Sequence, residues 1–133
     1  MYKWEEKHSV GIQSIDLQHQ ELFKLLNKLL DALKRGVAAE VSNQLIFELE
    51  RYAIMHFQKE EFFFQRFNYP GAEEHIKEHK LFIEKIQTLK ADIKSGKVAV
   101  SLELLTFLRN WIEHHIVIVD KKYADCFHQN GLK

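Results

Sequence analysis

Seven histidine, glutamate and aspartate side chains are candidate metal ligands, because their spacing places several of them on common helix faces. His75 and His79 are four residues apart, so on a helix they lie on one face, one turn apart. His56 and Glu60 repeat that spacing in an earlier segment. Any one of these groups alone is more often a hydrogen-bonded core residue or a surface residue. The complete candidate set is His19, His56, Glu60, His75, His79, His115 and Asp120.

Apolar residues recur at helical spacing in four segments, which predict the elements that carry the candidate ligands. The predicted helices span residues 17–35, 41–67, 72–94 and 101–127. Asp16 or Ser14 is expected to cap the first helix. Four amphipathic helices with short connections predict an all-α fold, an up-down-up-down antiparallel four-helix bundle. Residues 1–133 are expected to form one domain, with an N-terminal arm at 1–14 and the bundle at 15–133.

Short stretches with turn-forming residues separate the predicted helices. Gly36 is expected to end the first helix, because glycine adopts the left-handed backbone conformation without strain. Asn68-Tyr69-Pro70-Gly71 is a turn signature, and Ser95-Gly96-Lys97 is expected to end the third helix. In the arm, Trp4 and the stretch Val10-Gly11-Ile12 are expected to pack against the bundle.

Antiparallel topology decides whether the candidate ligands can meet. The ligands of the first and third predicted helices lie near the start of each helix, whereas those of the second and fourth lie late in theirs. In an antiparallel bundle these positions fall at the same end. All seven groups are therefore predicted at one height of the bundle.

The chemistry of the seven groups favours a pair of metal ions. A structural zinc site uses four ligands, often thiolates, and this sequence has one cysteine. Two ions bridged by carboxylates would use all seven groups, and mixed imidazole and carboxylate ligands suit iron better than manganese. Burying the same groups without metal would cost roughly 1–3 kcal/mol for each one left unpaired. The set therefore predicts a di-metal centre with iron as the favoured metal.

Composition and charge argue against several other classes of protein. Lys plus Arg and Asp plus Glu both number 19, so the chain lacks the basic bias of a nucleic-acid-binding domain. The single cysteine, Cys126, excludes an internal disulfide and fits a reducing compartment. The charged first residues predict no signal peptide, and no apolar run is long enough to span a membrane. We therefore expect a cytoplasmic protein without membrane insertion, and its neutrality favours a monomer.

Taken together, these motifs resemble those of the hemerythrin family. The resemblance covers nearly the whole chain, including the arm, and is greatest for the single-domain bacterial hemerythrins. Each motif alone is weak, but all seven ligand positions of the family pattern are filled. The motifs are Ile15-Asp16-Leu17-Gln18-His19, His56-Phe57-Gln58-Lys59-Glu60-Glu61, His75-x-x-x-His79, and Trp111-Ile112-Glu113-His114-His115-Ile116 followed by Asp120.

The resemblance implies a role for each candidate ligand at a non-haem di-iron centre. Glu60 and Asp120 would bridge the two irons, together with an oxo or hydroxo group. The second iron would keep one coordination position open. The irons would be held by His75, His79 and His115 on one side, and by His19 and His56 on the open side.

The same resemblance implies reversible binding of dioxygen at the open iron, for oxygen carriage, storage or delivery, and not an enzymatic reaction. An oxygen-consuming enzyme is then a candidate partner. Five residues match family positions that line the oxygen pocket, although ordinary core packing would account for them equally well. They are Leu22, Phe57, Trp111, Ile112 and Ile116.

Two other functions remain open at this stage. The same centre could serve a di-iron redox enzyme, such as a peroxidase or a nitric-oxide-reducing activity, or it could serve an oxygen or iron sensor. The residues argue against an oxygenase, because ferritin-like di-iron enzymes use four carboxylates and two Glu-x-x-His motifs. The one Glu-x-x-His here, Glu5 to His8, lies in the arm.

The spacing of the last two ligands does not suit a regular helix. His115 and Asp120 are five residues apart, which is about 140° when regular α-helical geometry is used. A single wide π-type turn would bring them into line, and such turns cluster at functional sites. We therefore predict a π turn between Trp111 and Tyr123, or else that the two ligands reach in from opposite edges of the apolar stripe.

The other histidines and the polar neighbours of the ligands are expected to lie outside the centre. His8, His114 and His128 are predicted to be partly exposed non-ligands. Glu61 is expected on a solvated face beside Glu60. Asp16 is expected to act as a helix cap and not as a partner of His19.

Overall fold

The structure is a computed structural model, and it describes residues 2–95 and 100–133. A short 3-10 turn, Glu6–His8, precedes the first helix. A π-helical stretch, Ile112–Val119, joins the fourth helix to the fifth and is called the π segment below. The helices are α1 (Gln13–Lys34), α2 (Ala38–Arg66), α3 (Ala72–Lys94), α4 (Val100–Trp111) and α5 (Lys121–Gln129).

The helices form a four-helix bundle, as predicted. α1 packs against α2 and α4, and α3 also packs against α2 and α4. The fourth rod of the bundle is α4 continued by the π segment and α5. Within residues 2–95 and 100–133 there is no β-strand. No helix in that part of the chain is both long enough and apolar enough to cross a membrane.

Two groups of buried apolar side chains hold the bundle together, and the candidate ligands lie where they meet. Phe57 and Trp111 of the larger group contact ligand histidines, and so do Phe64 and Tyr123 of the smaller group. The larger group, called the leucine core, includes Leu22, Leu25, Leu26, Leu29, Leu45, Leu49, Ile86, Leu89, Leu104 and Leu108. The smaller group consists of Val10, Ile12, Ile15, Phe64, Tyr123 and Phe127.

Two helix ends follow the sequence signals, and a third lies partly outside the described residues. Gly36 has φ +73° directly after α1, as its predicted role requires. Asn68 has φ +53° in the turn between α2 and α3. α3 ends at Lys94 with Ser95 as its C-cap, and the predicted Gly96 and Lys97 lie outside the described residues.

The predicted cap of the first helix was wrong. α1 begins at Gln13, and neither Ser14 nor Asp16 is its N-cap, a position that Ile12 takes. Asp16 lies within the first turn, where its carboxylate accepts hydrogen bonds from the Ser9 hydroxyl and from the Val10 amide at 2.9 Å. Asp16 therefore fixes the arm to α1.

The arm packs against the bundle through aromatic contacts and hydrogen bonds. Trp4 and His8 both lie against Phe23, with ring centroids 5.2 and 4.7 Å apart. Asn27 on α1 exchanges two hydrogen bonds of 2.9 Å with the backbone of Tyr2. His8 is only 1% exposed, so its predicted exposure was wrong: these aromatic neighbours cover it.

Candidate metal centre

The π segment brings the last two candidate ligands into line, which confirms the predicted wide turn. The Asp120 amide donates a 2.7 Å hydrogen bond to the His115 carbonyl, five residues earlier. An α-helix would pair residues four apart, so one residue is accommodated by the wider turn. His115 and Asp120 therefore both face the bundle interior, where each is at most 1% exposed.

All seven candidate ligands meet inside the bundle. Each is between 0 and 2% exposed, although each is polar or ionisable. α1 supplies His19, α2 supplies His56 and Glu60, and α3 supplies His75 and His79, while the fourth rod supplies the remaining pair. The antiparallel topology therefore does bring every predicted ligand to one height.

Two overlapping groups of ligand atoms have spacings suited to a metal ion. In each group, one nitrogen or oxygen atom per residue lies within 4.8 Å of all the others. Glu60 belongs to both groups, as a bridging carboxylate would. One group is Glu60, His75, His79 and His115, called the three-histidine side, and the other is His19, His56, Glu60 and Asp120, called the two-histidine side.

Asp120 also lies between the two sides. Its Oδ1 atom is 2.9 Å from Nε2 of both His75 and His115, and its Oδ2 atom is 2.9 Å from Nε2 of His19. Glu60 Oε1 is 3.0 Å from His79 Nε2 and 3.3 Å from His56 Nε2. Both carboxylates therefore contact imidazoles on each side.

The inward-facing atoms fit a metal better than they fit one another. Among the described residues, the Nε2 atoms of His75, His79 and His115 and both carboxylates have no hydrogen bond of acceptable geometry, although their contacts are short. Buried polar atoms are normally satisfied, because each orphan costs roughly 1–3 kcal/mol. Convergent Nε2 lone pairs and carboxylate oxygens are the donor set that iron takes.

Burial and charge separate the pKa values of the two carboxylates. Burial, helped by the negative charge of Asp120, raises the pKa of Glu60 to about 7. Burial also opposes ionisation of Asp120, but its contacts with His115, His19 and His75 hold its pKa well below the usual range. Without metal, Asp120 is therefore the carboxylate that carries the buried negative charge.

Burial and charge also separate the pKa values of the histidines. Burial lowers the pKa of His79 to about 4, and burial together with His19 holds the pKa of His56 well below its ordinary value. For His115 burial acts in the same direction, but Asp120 and Glu78 outweigh it and raise its pKa to about 10. Neutral His56 and His79 are in the protonation state that a metal requires.

Three residues outside the predicted set form hydrogen bonds with the Nδ1 atoms of candidate ligand imidazoles, on the side of each ring away from the centre. His56 Nδ1 lies 2.7 Å from Gln18 Oε1, His79 Nδ1 lies 2.9 Å from Glu61 Oε2, and His115 Nδ1 lies 3.0 Å from Glu78 Oε1. Because these oxygens are acceptors, each Nδ1 carries a proton, and in the neutral ring that a metal binds each Nε2 presents its lone pair inward. We call Gln18, Glu61 and Glu78 the outer partners.

The outer partners correct one sequence prediction. Glu61 was expected on a solvated face, yet it is half-buried and contacts His79. Each outer partner immediately precedes or follows a candidate ligand in sequence, which is the one signal that could have found them. Each pairs with a histidine on a neighbouring helix, so their partners depend on how the helices pack.

Comparison with known proteins agrees with this geometry. Residues 10–126 match the family described as "Hemerythrin HHE cation binding domain". The chain belongs to the hemerythrin family. The match spans all four rods of the bundle and all seven candidate ligands.

Individual hemerythrins are similar over most of their length. A bacteriohemerythrin of Clostridium acetobutylicum is 31% identical over 94% of this chain and 100% of its own length. A bacteriohemerythrin of Methylococcus capsulatus is 32% identical over 84% of each chain, and a myohemerythrin of Riftia pachyptila is 31% identical over 92% of this chain and 90% of its own. A crystal structure of wild-type hemerythrin superposes with a TM-score of 0.84 at 28% identity, over 95% of this chain and 97% of that one.

The five residues matched to the hemerythrin oxygen pocket lie together in the leucine core. Two of them touch ligands: Phe57 stacks on His79 with ring centroids 3.8 Å apart, and Trp111 stacks on His115 at 3.9 Å. All five are at most 8% exposed. The side chains beside the centre therefore form an apolar, water-poor environment.

The predicted non-ligand histidines stay outside both groups of ligand atoms. His114 and His128 are exposed, as expected. His114 Nε2 lies 4.0 Å from Glu78 and points away from the interior. His128 Nε2 lies 3.0 Å from the carbonyl oxygen of Gly11, so it contacts the arm.

Proposed function

We propose that this chain binds dioxygen reversibly at a non-haem di-iron centre, for carriage, storage or delivery of oxygen. The observation that carries the proposal is the pair of buried ligand groups that share Glu60. Similarity to bacteriohemerythrins and to a myohemerythrin supports it. We further propose that residues 1–133 form a single domain that acts in the cytoplasm as a monomer, with an oxygen-consuming enzyme as a partner.

In this proposal each predicted ligand keeps the role inferred from the sequence. His75, His79 and His115 would hold one iron, and His19 and His56 would hold the other with one position open. Glu60 and Asp120 would bridge the pair, with an oxo or hydroxo group completing the bridge. When bound, the two irons supply two electrons to dioxygen and recover them on release.

The protein's own residues would keep that exchange reversible. Leu22, Phe57, Trp111, Ile112 and Ile116 would exclude water from the bound oxygen, because each is buried in the apolar core. A dry site disfavours the release of charged oxygen species, since charges are costly away from water. The outer partners would keep the ligand imidazoles in the tautomer that presents Nε2.

A groove at the two-histidine side offers a route to the open iron. It lies between α1 and α2, has a volume of about 370 Å³, and is lined in part by Gln18, Tyr52 and the ligand His56. Tyr52 stacks on His56 with ring centroids 5.3 Å apart.

The test is an optical spectrum of iron-loaded protein cycled between air and anaerobic buffer, after iron analysis has established two irons per chain. We expect colour that appears in air and disappears on degassing over many cycles. Colour that forms once and decays to a stable diferric spectrum would contradict reversible binding and favour a redox or sensing role. Failure to take up iron would contradict the centre itself.

A further inference from the structure

The outer partners are not distributed evenly between the two sides of the centre. On the three-histidine side, His79 and His115 each face a carboxylate, Glu61 and Glu78. On the two-histidine side, His56 faces the uncharged amide of Gln18. Within the described residues each side also has one histidine whose Nδ1 lacks a hydrogen-bond partner, His19 on the two-histidine side and His75 on the three-histidine side. The carboxylates thus support one side only.

This difference in charge has a chemical consequence for the imidazoles. A carboxylate that accepts the Nδ1 hydrogen bond makes the ring a stronger donor at Nε2. A charge-assisted hydrogen bond is roughly twice as strong as a neutral one, so an amide acceptor has less effect. Stronger donation stabilises the higher charge of ferric iron relative to ferrous iron.

The bridging groups do not cancel this difference. Glu60 and Asp120 contact imidazoles on both sides, so their charges act on both irons. Glu61 and Glu78, in contrast, each contact one ligand of the three-histidine side. Both are only half-buried, so water weakens their effect without removing it.

We propose that Glu61 and Glu78 are positioning residues that lower the reduction potential of the iron on the three-histidine side below that of its neighbour. This inference rests on the proposed function, because it needs a di-iron centre. When a one-electron oxidant such as ferricyanide removes one electron from the diferrous protein, the iron on the three-histidine side becomes ferric. The open iron stays ferrous.

The two successive one-electron potentials of the iron-loaded protein test the proposal. Glu61→Gln and Glu78→Gln each keep an acceptor oxygen but remove its charge, so each raises the lower potential more than the upper. Gln18→Glu adds a carboxylate behind His56, so it lowers the upper potential more than the lower. In all three variants the gap between the potentials narrows.

A double variant separates this local effect from net charge. Gln18→Glu combined with Glu61→Gln moves one carboxylate from one side to the other at constant total charge, and we expect it to narrow the gap further than either single change. Glu73→Gln is the matched control. Glu73 is an exposed carboxylate on α3 that, in the part of the chain described, contacts no ligand imidazole by hydrogen bond, so water screens its charge and we expect its removal to leave the gap between the potentials unchanged.

Each outcome decides the matter. A gap that stays constant in the double variant, or widens in the single variants, overturns the proposal. If Glu61→Gln loses iron, the gap between the potentials is measured in Gln18→Glu alone, because that variant removes no carboxylate that now contacts a ligand. Iron analysis and Mössbauer spectra of the parent protein come first. A protein without two irons per chain contradicts the proposed function. If two irons are present, the potentials alone test the role of Glu61 and Glu78.

Discussion

The leucine core and the metal centre occupy neighbouring levels of the same four helices, yet they are held together by opposite means. The leucine core buries apolar side chains, and that burial stabilises the fold directly. The metal centre buries seven polar groups, several of them without hydrogen bonds among the described residues. Burial of these polar groups costs free energy, and the bundle tolerates that cost because the leucine core stabilises the same helices.

The largest expected effect concerns Asp120, the carboxylate that contacts imidazoles on both sides and that we propose as a bridging ligand. Asp120→Ala removes the carboxylate that contacts His19, His75 and His115, so we expect loss of at least one of the two irons. Iron per chain, measured after loading and desalting, checks this. Asp125→Ala removes an exposed carboxylate of α5 and is the matched control. Two irons retained by Asp120→Ala would contradict the bridging role.

Removal of iron tests the same level without mutation. Because metal binds the folded arrangement and not the unfolded chain, iron should raise the free energy of unfolding by about 4 kcal/mol at a thousandfold excess over Kd. Denaturant titrations of loaded and iron-free protein measure this. Equal midpoints in the two titrations would mean that the ligands are not preorganised for metal.

The metal-free protein should also lose stability as pH rises from about 6.5 to 10. His115 keeps its proton up to its folded pKa of about 10, whereas an unfolded histidine releases it near 6.5. The raised pKa of Glu60, about 7, gives a loss of stability that is nearly complete before this range begins. The lowered pKa values of His56 and His79 give a gain in stability as pH rises toward 6.5, so they also act below the range. Each pKa unit corresponds to about 1.4 kcal/mol, so the decrease should reach several kcal/mol.

Unfolding of the iron-free protein at pH 6.5, 8 and 9.5 measures this dependence, with the iron-loaded protein as control. The control should vary much less over the range, because bound metal keeps its ligands deprotonated. Stability of the iron-free protein that rises toward pH 9.5 would show that His115 is not protonated beside Asp120.

A cavity in the leucine core should behave differently. Leu89→Ala removes a fully buried side chain at the level away from the ligands, and we expect a cost of about 3 kcal/mol. The cost should be the same with and without iron, and the optical spectrum should not change. A spectrum altered by Leu89→Ala would mean that the leucine core and the ligand level are coupled and do not contribute independently.

The smallest effect is expected at the arm. His8 Nδ1 accepts a 2.9 Å hydrogen bond from the Glu5 amide, so a protonated ring cannot keep that contact. Burial, helped by Lys7, lowers the pKa of His8 despite the opposing charges of Glu113 and Glu5. The unfolded chain therefore takes up the proton first, and the arm loses stability as pH falls below 6.5.

Fluorescence of Trp4 reports this change, because Trp4 packs on His8 with ring centroids 5.5 Å apart. The signal is isolated by subtracting the spectrum of Trp4→Phe, which retains Trp111. In wild type the Trp4 emission should move to longer wavelength between pH 7 and 5, and in His8→Phe it should not. The same shift in both proteins would assign the transition to another group.

The sequence was most informative where local spacing determines geometry. The four-residue spacings of His56 with Glu60 and of His75 with His79 predicted shared helix faces, and the five-residue spacing of His115 with Asp120 predicted the π segment. Antiparallel topology then brought all the ligands to one height. Each of these inferences depends on helix periodicity, which is a local property of the chain.

Contacts between elements were not accessible in the same way. Glu61 and Glu78 reach histidines on other helices, and the rotation and offset of packed helices are not set by either helix alone. His8 is buried because Trp4 and Phe23 cover it, although the three residues before it, Glu5-Glu6-Lys7, are charged. Asp16 has the residue type of a cap, but its carboxylate binds the arm instead.

The π segment also bears on how such a chain can change length over evolution. With one residue fewer between His115 and Asp120, the two would be four apart, and an ordinary α-helix would align them equally well. The ligand geometry is therefore compatible with two chain lengths. A chain one residue shorter here could keep all seven candidate ligands in place, so an insertion or deletion in this stretch need not disturb the candidate metal centre.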